Sequence, residues 1–220
     1  MLQTKAITRI VSRYYEPLRI HLTGVHRFPP EKADDLLHEF LTRKVLEKDL
    51  LARADRRRGR FRTFLLGALD RFVISEFRRE VAQKRGSGGA VPLHEVNELL
   101  LDRKCAYQAF DVAWAQAVVR EAIARMSTRC VQVQRQDVWE IFNNRLLKPN
   151  MEGVPSLSYE ELVARLDLSS PSKAYNLLVT AKRMFMRCLE DVVSEYVLNS
   201  REMQDEIAEL YQILQNAHTE

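Results

Sequence analysis

Glycine and proline are scarce in this chain, with seven of each among 220 residues, and cysteine is scarcer still at three. Cys105, Cys130 and Cys188 stand far apart. An odd, sparse set excludes a disulfide framework and points to a reducing compartment. No apolar run approaches the ~18 residues that a membrane-spanning helix needs. The opening stretch MLQTKAITRIVSRYY carries charge throughout and has no apolar core of the signal-peptide kind. These absences together indicate a cytoplasmic protein with no membrane insertion. Catalytic patterns are missing as well. His21, His26, His38, His94 and His218 are scattered, and none is spaced against Cys, Asp or Glu as convergent metal ligands on a helix would be. There is no G-x-S-x-G and no H-E-x-x-H. The RGSGGA stretch follows no strand and precedes no GK[ST], so it reads as a linker and not as a phosphate loop. No metal and no organic cofactor is expected, and the chain reads as a non-enzyme.

What remains is a chain that is 46% hydrophobic and 29% charged, with a formal net charge of +4 and a pI near 9.0. That is enough apolar material for real cores, and the mild basicity permits a nucleic-acid partner. The few breakers cluster. GSGG at 86–89 marks one break, and Pro149, Gly153 and Pro155 mark another. Between them the apolar residues recur at helical spacing, and no alternating strand pattern stands out. The fold class expected is all-α: two small helical domains joined by a helical linker. The boundaries expected are 1–88, a linker over 89–154, a second domain over 155–198 and an acidic tail over 199–220.

The second predicted helix, EKADDLLHEFLTRKVL, puts Leu36, Leu37, Phe40, Leu41 and Val45 on one side. Asp34, Asp35, His38, Glu39 and Arg43 fall mostly on the other, where carboxylates are ordinarily solvated or ion-paired. The third, from about Arg60, repeats Phe61, Phe64, Leu65, Ala68, Leu69, Phe72 and Val73 at steps of three and four. In the middle segment, Phe110, Trp114, Val118, Ala122 and Met126 have the same spacing. Near the end, Ser158 with Glu161 has the form of a capping box, and Ser170–Pro171 suits the start of another helix. Two helices joined by a tight turn, the second showing Lys173, Asn176, Thr180, Arg183 and Arg187 on one side, have helix-turn-helix geometry.

Charge gives the functional lead. Residues 43–85 hold fourteen basic residues and six acidic ones, a surplus of eight, twice the net charge of the whole chain. Such a patch attracts a polyphosphate backbone. The interleaved Phe61 and Phe64 either stack on unpaired bases or belong to the core.

The stretch ADDLLHEFLTRKVLEKDLLARADRRRGRFRTFLLGALDRFVISEFRREVAQKRGSGG resembles the second conserved region of bacterial RNA polymerase sigma factors of the sigma-70 family, extracytoplasmic-function type. The carriers are D-L-x-x-E-F, then R-G-R-F-R-[ST]-F-L-L, then F-R-R-E-x-A-Q-K-R-G. YEELVARLDLSSPSKAYNLLVTAKRMFMRCLEDVV resembles the fourth conserved region, a helix-turn-helix. The resemblance extends to about residue 198.

It implies a protein that binds core RNA polymerase and promoter DNA and initiates transcription. Asp35, Leu36, His38, Glu39, Phe40 and Arg43 would dock on the polymerase. Arg57, Arg58, Arg60, Phe61, Arg62, Phe64 and Arg71 would melt the −10 region and hold the displaced strand. Arg78, Arg79, Lys84 and Arg85, with Glu76 beside them, would read or clamp the −10 element. Ser172, Lys173, Asn176, Thr180, Arg183 and Arg187 would enter the −35 major groove. An anti-sigma factor or another regulatory protein is a further partner of this kind.

Three departures from the family pattern bear on that reading. His38 stands where glutamine is usual. Residues 158–197 carry five positive and six negative side chains, little charge for a module that grips duplex phosphates. The tail, residues 199–220, sets five acids against Arg201, with Met203, Ile207, Leu210 and Leu214 spaced for an amphipathic helix that docks on this chain or on a partner. A sigma-like regulator that binds polymerase or DNA without opening promoters is the alternative.

Overall fold

The computed structural model describes residues 2–46, 60–86, 103–197 and 199–217. Among these residues every regular element is helical and none is a strand, as the apolar spacing predicts. The chain divides into two compact units, Met1–Ala117 with Ile213–Glu220, and Val118–Gln212. That division differs from the expected boundaries at 88, 154 and 198. It falls inside one continuous helix, because the segment read as a linker contributes to both cores.

In the first unit, α1 spans Leu2–Gly24 and buries Tyr14, Leu18 and Leu22, one residue every four. Thr23 caps its end by donating to the carbonyls of Arg19 and Ile20. The chain then folds back. Arg27 takes φ 49°, a left-handed conformation that costs a non-glycine residue roughly 1 kcal/mol. Proline occupies the N-cap and the first position of α2, Pro30–Phe40, where a missing N–H costs nothing. α2 buries Ala33, Leu36, Leu37 and Phe40, the i, i+3, i+4, i+7 set of a helix with one apolar face. It runs on into a π-helical turn over Leu41–Leu46. α3, Phe61–Gly86, packs on α2, with the Phe40 and Phe72 rings 5.6 Å apart.

The next helix, α4, spans Arg103–Gln132. Phe110, Trp114, Val118, Ala122, Met126 and Cys130 recur every four residues along it, and all are buried. The first two lie in the first unit and the other four in the second.

In the second unit, α5 is Gln136–Phe142, followed by a π-helical turn over Asn143–Leu147 and by α6, Lys148–Glu152. α7 covers Tyr159–Leu166 and α8 Pro171–Ser194, and α9, Ser200–Ala217, belongs to this unit as far as Gln212. α8 is the central packing element, lying against both α5 and α7. Its Phe185 stacks on Phe142 at 5.3 Å. The expected amphipathic tail is α9, whose Ile207 and Leu210 are buried. No helix among the described residues is long and apolar enough to cross a membrane.

Candidate nucleic-acid interface

The two helices read as a helix-turn-helix, α7 and α8, are built by local chemistry. Ser158 accepts the Glu161 amide at 3.1 Å while Glu161 accepts the Ser158 amide at 2.7 Å, a closed capping box that fixes the start of α7. Arg145 donates to the Leu157 carbonyl and lies over the Tyr159 ring at 4.4 Å, holding that start in place. α7 ends at Asp167 in a left-handed conformation, φ 50°, and Leu168 donates back to the Val163 carbonyl. Ser170 then caps α8 by accepting from the Lys173 amide at 3.3 Å.

At 100° per residue, Ser172, Lys173, Asn176, Thr180, Arg183 and Arg187 fall within an arc of about 100° on α8. Ala174, Leu177, Leu178, Ala181 and Cys188 fill the opposite side and are buried. Ser172, Lys173, Asn176, Arg183 and Arg187 are exposed, and Thr180 is half-buried, its hydroxyl donating to the Asn176 carbonyl. The spacing that singled out this face is the spacing the helix uses.

α3 in the first unit is more mixed. Arg57 and Arg58 lie outside the described residues, and so do the side chains of Lys84 and Arg85. Arg60, Arg71, Arg78 and Arg79 are exposed. Phe61 and Phe64 are half-buried, and Phe61 meets the Tyr14 ring edge-on at 5.5 Å, so core packing accounts for that ring. Arg62 departs from the expectation of a phosphate contact. It is 3% exposed, its guanidinium lies 4.2 Å over the Trp114 ring, and its Nε is 3.3 Å from Asp111 Oδ1. Burial pushes the Asp111 carboxyl up, against the pull of Arg62 and Arg60. Position alone could have found this. Arg62 projects between Leu65, Leu66 and Leu69, in the middle of the apolar arc of α3.

The predicted polymerase-docking group divides. Leu36 and Phe40 are buried in the core, Asp35 and His38 are exposed, and Glu39 and Arg43 are half-buried. Arg43 Nη1 donates to Glu39 at 2.6 Å and to Glu76 at 3.0 Å, and Arg79 reaches the other oxygen of Glu76 at 3.2 Å. These four residues tie the end of α2 to α3. Glu39 and Glu76 are therefore structural ion-pair members before they meet any partner.

The histidines read as scattered are not all so. His21 and His26 are buried, and their Nε2 atoms lie 2.7 and 3.1 Å from the same oxygen, Asp70 Oδ1. Burial of Asp70 opposes its charge, but hydrogen bonds from both rings outweigh it and hold the carboxyl well below its usual range. An ionised carboxylate only accepts, so both rings carry their proton on Nε2. The spacing hid this cluster because α1 ends at Gly24 and the turn swings His26 back beside His21. The described cysteines, Cys130 and Cys188, are buried, which raises both thiols and leaves neither activated as a nucleophile.

No family model, no curated protein and no solved structure matches the chain.

Proposed function

We propose that this chain is a cytoplasmic promoter-specificity subunit of the sigma type and not an enzyme. It would bind core RNA polymerase, direct it to promoters and help open them. The observation that carries this reading is the single exposed arc on α8 bearing Ser172, Lys173, Asn176, Arg183 and Arg187 behind a doubly capped turn. A helix entering the major groove offers its N-terminal residues to base edges. Lys173 and Asn176 sit there, with donors and acceptors that suit guanine and adenine. Arg183 and Arg187, further along, would touch phosphates and set the register.

On α3, Arg71, Ser75 and Arg78 share one exposed side, and Arg79, also exposed, flanks them. That side supports a backbone contact near the −10 element, now without Arg62. Opening a duplex requires unstacked bases to be trapped, at a cost of a few kcal/mol per base. Polymerase docking would use the exposed Asp35 and His38 first, because Glu39 and Arg43 are already paired. An anti-sigma factor or a comparable regulator is the further partner this reading calls for.

The second reading, a sigma-like regulator that binds without opening promoters, draws support from the near-neutral charge of residues 158–197. The test is reconstitution of the full chain with core polymerase, followed by run-off transcription from a library randomised at both promoter elements. Enriched upstream and downstream motifs with transcripts are expected. Binding of polymerase or of promoter DNA without transcripts selects the regulator reading, and binding to neither rejects both.

A further inference from the structure

We propose that His21, His26 and Asp70 form a binding site for one divalent cation of the zinc class, held by two imidazole Nε2 atoms and one carboxylate oxygen.

The three side chains come from the last turn of α1, the turn after it and the middle of α3, and their ligand atoms all lie within 4.8 Å of one another. Both Nε2 atoms address one oxygen, at 2.7 and 3.1 Å. Tetrahedral zinc with bonds of ~2.0–2.1 Å sets its ligands about 3.3 Å apart, so the two nitrogen–oxygen contacts need open by only about half an ångström. The ligand set, two neutral nitrogens and one anionic oxygen, suits zinc and not magnesium.

The surroundings are shaped for the task. The His26 ring stacks on Phe28 at 5.6 Å, and the His21 ring meets Phe110 edge-on at 6.4 Å, which fixes both ring planes. The Tyr107 hydroxyl donates to the other carboxylate oxygen, Oδ2, at 3.4 Å and orients Asp70. A bound cation replaces the two Nε2 protons, and each ring's proton then moves to Nδ1. Both Nδ1 atoms are buried and have no acceptor among the described side chains. A missing outer-shell partner costs about 10–100-fold in metal affinity, so the site should bind zinc more weakly than one with a complete outer shell. Its effect would be mechanical: a bridge from the end of α1 to α3.

The test uses the full chain, stripped of metal by chelator dialysis and titrated with zinc against a competing indicator. One equivalent is expected, with a rise in unfolding temperature that magnesium does not reproduce. Cobalt should give the visible bands of a tetrahedral nitrogen–oxygen site with no thiolate charge-transfer band. His26→Gln, which keeps an N–H donor for Asp70, should lower zinc affinity at least ~10-fold and abolish the thermal shift. Failure of the wild-type chain to bind an equivalent overturns the proposal without reference to any variant. Thiolate bands, or zinc affinity unchanged in His26→Gln, would assign the metal elsewhere and leave the cluster as hydrogen bonds only.

Discussion

α3 and α8 both present basic residues at helical spacing, yet they treat charge in opposite ways. On α8 the polar residues of the predicted reading face stand clear of the apolar stripe, and its buried positions are all apolar. On α3 charge is drawn into the fold: Arg62 under Trp114, Asp70 against two histidines, Glu76 between Arg43 and Arg79. The difference lies in the neighbours. α8 packs mainly on apolar sides of α5 and α7, whereas α1, α2 and α4 bring partners of complementary charge to α3. A charged residue on an apolar arc is thus a sign of a buried partner, and one on a polar arc a sign of an open surface.

Breaking the buried arginine should have the largest effect. Arg62→Ala removes the stack on Trp114 and leaves Asp111 without its ion-pair partner, a loss of about 3 kcal/mol. Arg183→Ala, on the open arc of α8, should stay within about 0.5 kcal/mol. Urea unfolding of the two variants side by side measures the contrast, and equal stabilities would erase it. Asn176→Ala should be silent in the same unfolding experiment. In promoter selection by the holoenzyme it should cost about 2 kcal/mol of discrimination at one upstream base pair. A uniform loss across all sequences would make Asn176 a backbone contact instead.

The pH dependence sharpens the comparison from the other side. Asp70 has a folded pKa below its unfolded value, so its stabilisation is present above about pH 3.9 and is lost as the pH falls below that toward the folded pKa. Wild type should therefore lose up to about 1.4 kcal/mol per pH unit more than Asp70→Asn in that window. Parallel acid titrations of the urea midpoint check this, and superimposable curves would count against an ionised Asp70 in the cluster. A smaller loss than at Arg62 is expected at a cap. Ser170→Ala should cost about 1 kcal/mol, by freeing the Lys173 amide at the start of α8.

Helix identity and the face of α8 were legible in the sequence because they depend on local quantities. Ser158 with Glu161 and Ser170 with Pro171 satisfy amide groups within three residues, and the apolar steps of three and four follow from 100° per residue. The run from Phe110 to Met126 was legible for the same reason. Tertiary structure alone decided which charges are used up inside the fold. Arg62 meets Asp111 and Trp114 about fifty residues on, Arg43 meets Glu76 from the π-helical turn after α2 to α3, and His21 and His26 meet Asp70 across a helix end and a turn. Periodicity tells which way a side chain points from its own helix. Whether a carboxylate, an aromatic ring or water waits there is set by the packing of another helix, and pairing inside a fold is a property of distance in space.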